Sequence, residues 1–338
     1  MTVGLSAVLV THESEDCIEA ALVSLRRHLP SAELIVVDNA SQDRTEEVVQ
    51  ALGGVQLIAE EENLGFARAC NVGADNATGT HLLFVNPDVR IVSVDFEALQ
   101  ELLRERPCGL LGPYFVSPDG PTELGRGGLR PERHWLFAYV SQTFGLLRPR
   151  ELPPGPPRRR LGGAHWIAGA MLLAEREEFD QLGRFDPRFF LYYEDRELSA
   201  RYRDAGLPIR STAAIRVEHQ GGGSSRTPTF RTAPQGWALL GWVQYLHLRH
   251  GPRVAGRAAR LALGTLRWLS QGLRLVGTAG VPRAKRKGQE VEMLLDFIDK
   301  VTSTPPERSR DFCPDAVRHL ARHASVLHRA VRGSSSAR

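Results

Sequence analysis

From Leu5 to Val85, short apolar runs alternate with stretches in which apolar residues recur every three or four positions. The short runs predict buried strands, and the longer spacing predicts amphipathic helices. The predicted strands are residues 5–10, 33–37, 55–59 and 81–85. Three helices are predicted in this part of the chain. The first is capped by Ser14 and has Ile18, Ala21, Leu22 and Leu25 on one face; the second begins with a capping box at residues 43–46; the third covers residues 66–77. This alternation predicts βαβ units and a mostly parallel central sheet flanked by helices.

The pattern becomes less regular in the second half of the chain. Residues 166–174 and 208–217 predict two further strands. Residues 146–163 are rich in proline, arginine and glycine, which predicts a loop or lid. From about Phe230 the pattern is helical and basic, so we expect a helical extension after the α/β domain.

An acidic pair lies at the predicted start of a helix. Leu198, Tyr202 and Ala205 recur at helical spacing, which places Glu194 and Asp195 in the first turn. The positive end of the helix dipole favours an ionised carboxylate there, and an ionised carboxylate that faces a cleft can act as a general base. An acid that merely complements the helix dipole fits the same position, so the pair alone leaves both interpretations open.

Composition limits the class of protein. A chain of 338 residues, with 42% hydrophobic and 24% charged residues, suits one large α/β domain with an appendage. Its four cysteines form no CxxC pair, which argues against a disulfide framework or a zinc site and favours a reducing compartment. No apolar run reaches the roughly 20 residues of a membrane-spanning helix, and the first residues lack the basic region of a signal peptide. We therefore expect a cytoplasmic protein.

Polar side chains follow two of the predicted strands, at the edge where α/β sheets bind their ligands. Asp38 lies in the sequence VVDNAS and can accept hydrogen bonds from a ribose or a base, although it equally suits a turn. Asp88, with Asn86 two residues before it, can hold a divalent cation through oxygen ligands, although an Asn-Pro turn is an equal alternative. His219 ends a later strand and can complete such a metal site, or be structural.

A glycine-rich segment follows His219. Residues 221–226, GGGSSR, would let backbone N–H groups and Arg226 approach a diphosphate. A merely flexible loop is the alternative.

The motifs occur in a fixed order along the chain. They are VTH at residues 10–12, VVDNAS at 36–41, ENLGFA at 62–67, NVG at 71–73, NPD at 86–88 and the acidic pair at 194–195. This ordered set resembles the inverting nucleotide-sugar glycosyltransferases of family 2, which have the GT-A fold. Within the family it is similar to the rhamnosyltransferase branch, where NPD replaces the commoner DxD. The resemblance covers roughly residues 1–226.

The resemblance implies a role for each matching residue. Asp195 would be the catalytic base, Glu194 would orient the acceptor, and Asp88 and His219 would bind Mg²⁺ or Mn²⁺ with the donor diphosphate. Residues that would bind the nucleotide or donor are Thr11, His12, Glu13, Asp38, Asn63, Gly65, Phe66, Arg68 and Asn86, with Asn71 as a weaker candidate. Because Asn86 replaces a carboxylate, metal affinity without the donor should be weak.

The resemblance also implies a substrate class. The favoured donor is dTDP-rhamnose, with other UDP- or GDP-sugars left open, and the acceptor would be a lipid-linked or cell-envelope saccharide such as a polyprenyl-diphosphate-linked glycan. We expect a catalytic domain over residues 1–229, with a nucleotide-sugar half at about 1–115 and an acceptor half at about 116–229. Residues 230–338 would form a basic helical extension with a disordered tail.

Arginines recur along the carboxyl-terminal third. They are Arg253, Arg257, Arg260, Arg267 and Arg274, accompanied by Leu261, Trp268, Leu269, Leu273 and Val276. An arginine face beside tryptophan and leucine predicts an anionic membrane surface as partner, and Trp237, Leu240, Trp242 and Tyr245 add residue types common at membrane interfaces. The protein would then be peripheral at the inner face of the cell membrane. A packed helix with a solvated basic face is the alternative, while nucleic-acid binding is disfavoured because no reader motif accompanies the arginines.

Three other classes of protein are weaker matches. A sugar nucleotidyltransferase would show a glycine-rich basic loop after the first strand, whereas residues 10–16, VTHESED, are acidic. An oxidoreductase would show GxGxxG after a strand. A catalytically inactive membrane scaffold is also possible in principle, but the combination of Asp88, Asp195 and His219 argues against it.

Overall fold

The computed structural model describes residues 4–117, 120–121, 126–127, 162–219, 233–278, 282–303 and 315–321. The chain divides into two compact units. The first comprises residues 1–130, 148–187 and 194–226, and the second comprises residues 131–147, 188–193 and 227–338.

Within the residues that the structure describes, the first unit is built on a mixed sheet of ten strands. Its path is β3-β2-β1-β4-β11-β6-β12-β5, with β7 paired to β6 and β9 to β12, while β8 and β10 form a separate ladder. The strands are β1 (Leu5–Thr11), β2 (Glu33–Asp38), β3 (Gln56–Ala59), β4 (His81–Val85), β5 (Val89–Val94), β6 (Leu110–Ser117), β7 (Gly120–Pro121), β8 (Arg126–Gly127), β9 (Gly162–Gly163), β10 (Trp166–Ile167), β11 (Met171–Glu175) and β12 (Ile209–His219). The helices are α1 (Ile18–His28), α2 (Thr45–Leu52), α3 (Phe66–Asn76), α4 (Phe96–Arg104), α5 (Arg176–Gln181) and α6 (Glu194–Asp204).

The first four strands are parallel and end at one edge of the sheet. β1 lies between β2 and β4, and the register pairs Thr11 with Asp38 and Leu9 with Val85. β11 is antiparallel to β4 and ends this parallel part of the sheet. The α/β fold class, with a central sheet flanked by helices, is therefore confirmed. The sheet is mixed rather than mostly parallel, because β11 pairs antiparallel with β4 and β6, and β5 pairs antiparallel with β12.

Buried apolar strands explain why this sheet forms. All five residues of β4 are buried, as a strand covered on both faces requires. On one side α1 buries Ile18, Ala21, Leu22 and Leu25, which is the face that their spacing predicts. Apolar burial on both sides of the sheet fixes the positions of the strand ends, where the polar residues lie.

Two predicted helix starts are wrong. α1 begins at Ile18 and not after Ser14, because the Ser14 hydroxyl bonds to the backbone of His12 and residues 15–17 form a turn. The capping box at residues 43–46 does not form either. α2 begins at Thr45, and Asp43 accepts hydrogen bonds from the Thr45 backbone and hydroxyl.

One predicted strand is two strands. The segment predicted as a strand over residues 166–174 is divided into β10 and β11 by a turn at Gly169 and Ala170. The sequence pattern also missed β5, which follows Asp88 directly, as well as α4 and β6. By contrast, β4 and α6 begin where the sequence predicts.

The described part of the second unit contains three long helices, α7 (Ala233–His250), α8 (Pro252–Thr278) and α9 (Pro282–Ser303), and a short helix over residues 315–321. Leu240, Trp242 and Tyr245 of α7 are 1%, 4% and 1% exposed. Their predicted place at a membrane interface is therefore wrong, since they form the core of this unit. Trp237 is half-buried and stacks on Phe190, with 4.3 Å between ring centroids.

Several predicted features lie outside the described residues. They are the domain boundary at residues 229/230, the glycine-rich segment 221–226, the tail after residue 331 and most of the predicted loop 146–163, whose last two residues form β9. Among the helices that are described, none combines the length and apolarity needed to cross a bilayer.

Gly73 offers a test of how closely α3 packs on the sheet. A Cβ at this position would lie 2.2 Å from Val8 Cγ1, so Gly73→Ala should destabilise the first unit by about 1–3 kcal/mol despite the higher helix propensity of alanine. Gly264→Ala in α8 is the matched control, because nothing lies within 4 Å of its Cβ position, and it should be stabilising. Calorimetric melting temperatures check both signs, and a stable Gly73→Ala variant would contradict the close packing.

Candidate active site

Asp38 joins the ends of β1 and β2. Its Oδ1 accepts hydrogen bonds from the hydroxyls of Thr11 and Ser41, each at 2.7 Å, and its Oδ2 accepts from the Ser41 backbone at 2.8 Å. Asp38 and Thr11 are fully buried. These bonds shape the turn after β2, and the predicted contacts of both residues with a nucleotide stay predictions.

Asn39 connects the loops that follow three elements, a role that sequence reasoning missed. Its Oδ1 accepts from the Leu64 backbone at 2.8 Å, and its Nδ2 donates to the Gly65 carbonyl at 3.3 Å. Its own carbonyl lies 2.9 Å from His12 Nδ1. The signal available in the sequence was an amide directly after the last residue of a strand. Asn39 thus positions His12 and the loop before α3.

Glu13 bonds to the loop after β2, and Asn63 shapes its own loop. Glu13 has a φ of 53°, and its Oε1 accepts from the Gln42 backbone at 2.7 Å. Asn63 Oδ1 accepts from the Gly65 backbone at 2.9 Å, and Gly65 has a φ of 78°, which glycine adopts without strain. The carboxylate and the amide therefore hold the loops at the ends of β1 and β3, beside the predicted nucleotide site.

Side chains of α3 hold the segment that precedes the acidic pair in the chain. The Asn71 side chain makes two hydrogen bonds to the Phe185 backbone: its Nδ2 donates to the carbonyl at 2.9 Å, and its Oδ1 accepts from the N–H at 3.2 Å. Arg68 Nε donates to the Pro187 carbonyl at 3.0 Å, and the rings of Phe66 and Phe185 meet edge to face at 6.0 Å. Arg68, Asn71 and Phe66 are thus brought close to residues that lead toward α6.

Asp195 lies in the first turn of α6 and is held by two backbone donors. The Gly169 N–H donates to its Oδ2 at 3.0 Å, and the Arg196 N–H donates to its Oδ1 at 2.7 Å. The Arg196 guanidinium lies over the Trp166 ring, 4.3 Å from the centroid. Burial raises the pKa of Asp195, while Arg196 and the Gly169 N–H favour the ionised form.

Glu194 is buried beside Asp195 in a less polar environment. It is 4% exposed, and among the described residues its Oε2 has no hydrogen-bond partner. Burial, and then the charge of Asp195, raise the pKa of Glu194 to about 8. Backbone N–H groups of Glu194 and Asp195 and the charge of Arg196 oppose this shift without cancelling it, so Glu194 favours its protonated form at neutral pH.

Asp88 and His219 meet at the carboxyl end of β12. Asp88 Oδ1 lies 3.2 Å from His219 Nε2, and the register pairs His219 with Val89. Their side chains are 9% and 26% exposed, so the imidazole is accessible. Among the described residues, no third histidine, cysteine or carboxylate completes a cluster. The Asp88 carboxylate suits Mg²⁺ or Mn²⁺ when water and phosphate oxygens supply most other ligands, and the His219 imidazole offers one nitrogen ligand beside it, so the two residues fit a donor-bound cation.

The turn at Gly169 and Ala170 links the acidic pair to the NPD segment. The Asn86 N–H donates to the Ala170 carbonyl at 2.8 Å, while the Gly169 N–H donates to Asp195. Asn86 thus takes part through its backbone. Asp88 and Asp195, which are 107 residues apart in sequence, are connected through adjacent residues of one turn. The turn therefore connects the predicted base to the segment that carries the predicted metal residue Asp88.

The chain is similar to known sugar-transferring enzymes. Residues 6–156 match the family model described as Glycosyl transferase family 2. The N-acetylglucosaminyl-diphospho-decaprenol L-rhamnosyltransferase of Mycobacterium tuberculosis is 29% identical over 263 residues, covering 69% of this chain and 81% of that protein. The rhamnosyltransferase WbbL of Escherichia coli is 22% identical over 249 residues, covering 71% of this chain and 91% of that protein.

A solved structure has a similar fold. The crystal structure of GalNAc-T7 with UDP, GalNAc and Mn²⁺ matches 72% of this chain with a TM-score of 0.54 and 18% identity. This chain spans 48% of the length of that protein. The likeness identifies the fold as GT-A.

The buried Glu194 makes stability depend on pH. Since its folded pKa of about 8 exceeds its ordinary value of 4.5, unfolding releases a proton between these pH values and stability falls as pH rises. The unfolding free energy of Glu194→Gln minus that of wild type should rise by about 1.4 kcal/mol per pH unit between pH 4.5 and about 8, and should not change with pH below 4.5. Urea unfolding at several pH values checks this. A difference that is independent of pH would show that Glu194 is ionised in the folded protein.

Proposed function

We propose that this chain, which matches the family model of Glycosyl transferase family 2 over residues 6–156 and is similar to rhamnosyltransferases, transfers rhamnose from dTDP-rhamnose to a hydroxyl of a lipid-linked saccharide. The observation that carries the proposal is the placement of Asp195, whose carboxylate is held by the same turn that binds the NPD segment. The names of the two rhamnosyltransferases above support rhamnose as the transferred sugar, and the name of the mycobacterial one supports a lipid-linked acceptor. The acceptor of the mycobacterial relative is a diphospho-decaprenol-linked N-acetylglucosamine.

Asp195 is the general base in this proposal. Its carboxylate accepts the proton of the acceptor hydroxyl while the hydroxyl oxygen forms a bond to the anomeric carbon. The bond from that carbon to the diphosphate breaks at the same time, and its electron pair leaves with the diphosphate. The Gly169 and Arg196 N–H groups hold the carboxylate and favour its charged form, which is the form that accepts a proton.

Glu194 supports a single displacement with inversion. A retaining mechanism requires a second carboxylate that attacks the anomeric carbon. The carboxyl group of Glu194 is buried and its raised pKa keeps it protonated, so it is a poor nucleophile. We propose that its neutral side chain leaves Asp195 as the one charged base, and its direct contact with the acceptor stays a prediction.

Asp88 and His219 would hold Mg²⁺ or Mn²⁺ together with the donor diphosphate. When bound, the cation neutralises charge that develops on the leaving diphosphate. The protein itself supplies one carboxylate charge and one imidazole here. The nucleotide would then lie along the loops after β1, β2 and β3, where His12, Glu13 and Asn63 are fixed by hydrogen bonds.

Replacing the proposed base separates catalysis from binding. Asp195→Asn keeps the shape but cannot accept the proton, so kcat should fall by about 10²–10⁴-fold while the Kd for the nucleotide stays near wild type. Glu194→Gln is the matched control at the neighbouring position and should retain most of the activity. Radiolabelled sugar transfer and calorimetric nucleotide binding measure the two quantities. Loss of nucleotide binding in Asp195→Asn would reassign the residue to the donor site.

A donor panel tests the metal pair and the sugar together. Stabilisation grows with ligand concentration relative to Kd, so dTDP-rhamnose with Mn²⁺ should raise the melting temperature more than UDP- or GDP-sugars do. In Asp88→Ala the part of the increase in melting temperature that requires Mn²⁺ should be lost. The stabilisation that the nucleotide gives without metal should remain. A larger shift with another nucleotide sugar would reject the rhamnose donor, and an unchanged Mn²⁺ effect in Asp88→Ala would remove Asp88 from the metal site.

A further inference from the structure

α8 has two apolar faces, and packing within its unit accounts for one of them. The buried face includes Ala255, Ala259, Ala262, Leu266 and Leu269, all 2% exposed or less. Its spacing of three and four residues is that of a helix packed on neighbours, here α7 and α9. Packing of α8 on its neighbours therefore accounts for this buried face.

The second apolar face is exposed. Val254, Leu261, Trp268 and Leu275 are 42%, 59%, 67% and 74% exposed. They recur every seven residues, so each lies about 10 Å further along the axis and only about 20° around it. We call these four residues the exposed stripe. Large side chains this exposed, in one row of about 30 Å, are typical of an interaction surface and not of a solvated helix face.

Arginines accompany the exposed stripe and acidic residues do not. Each residue of the stripe is preceded directly by an arginine, and Arg257 adds a fifth. α8 contains no aspartate or glutamate in its 27 residues. Arg253, Arg257 and Arg260 are exposed, whereas Arg274 forms an ion pair with Glu292 of α9 at 2.9 Å. The surface is therefore both apolar and strongly positive.

We propose that the exposed stripe and its arginines bind the surface of an anionic lipid bilayer. Lipid headgroups supply negative charge for the arginines, and the acyl boundary accepts Leu261 and Trp268. A second copy of α8 would bring its own arginines against the first set, which disfavours self-association. Nucleic acid would match the charge but leave the apolar stripe exposed to water. The proposal is independent of the transfer reaction proposed above, since binding to vesicles requires neither donor nor acceptor.

Vesicle co-sedimentation of the full chain tests the proposal. Wild type should bind vesicles of equal parts phosphatidylglycerol and phosphatidylcholine, and should bind pure phosphatidylcholine much more weakly. The double variant Leu261→Ser with Trp268→Ser should lose about tenfold or more in partitioning. Arg257→Glu with Arg260→Glu should lose at least about tenfold at low salt, and less as salt is raised.

Matched controls distinguish vesicle binding by the exposed stripe from nonspecific binding. Met293→Ser removes an apolar side chain of α9 that is 43% exposed, and Lys285→Glu with Arg286→Glu makes the same charge change on α9. Both controls should bind vesicles nearly as wild type does. Circular dichroism and thermal unfolding should be unchanged in every variant, so that weaker binding reports the surface and not the fold.

Trp268 also provides a direct reporter. Brominated anionic lipid should quench tryptophan emission of wild type, and Trp268→Phe should lose most of that quenching while still binding. Several results would overturn the proposal. The first is that wild type does not bind anionic vesicles. The second is that the control variants lose as much vesicle binding as the test variants, or that the serine variants bind vesicles as wild type does. The third is that the protein binds RNA or DNA and not lipid, and that the serine substitutions do not weaken this nucleic-acid binding. Dissociation of a dimer by the serine variants, without an effect on vesicles, would assign the stripe to self-association.

Discussion

The hydrogen bond from the Gly169 N–H to Asp195 is the interaction on which the site depends. A carboxylate that is taken out of water loses its hydration and needs donors to replace it. Here the donors are backbone groups, which cannot move independently of the sheet because β11 begins two residues after Gly169. Glycine also suits the position sterically, since a Cβ would lie 3.3 Å from the Phe66 ring and 3.6 Å from Glu194 Oε1. The base is therefore positioned by the fold.

Two neighbouring carboxyl groups acquire different properties from this arrangement. Burial raises the pKa of both carboxyls, but Asp195 also accepts the Gly169 N–H from a turn distant in the chain, whereas Glu194 Oε2 has no hydrogen-bond partner among the described residues. The Gly169 bond therefore favours the ionised form of Asp195 in particular, in line with a division of acid and base roles between two carboxyls. An exposed pair at the same helix start would ionise together, and neither group would be distinguished from the other.

Local patterns predicted much of the first unit. The buried strand His81–Val85 and the start of α6 at Glu194 depend on short-range periodicity, which the sequence shows directly. The failures involve partners that are distant in the chain. Asn39 bonds to Leu64, and the Gly169 turn is fixed by Asn86 and Asp195, none of which a local window contains. Ser14 has the residue type of a helix cap, but its hydroxyl bonds to His12.

The second unit shows why composition alone misassigns aromatic residues. Trp242 of α7 and Trp268 of α8 are the same residue type in consecutive helices, yet one is 4% and the other 67% exposed. α7 is apolar around most of its circumference, so it is buried by its neighbours. In α8 an arginine directly precedes each residue of the exposed stripe, and the four side chains of the stripe are 42–74% exposed. In α8 the apolar residues that repeat every seven positions lie beside a separate buried face. This second apolar row is the feature that distinguishes a partner-binding helix from one whose apolar residues all pack in the core.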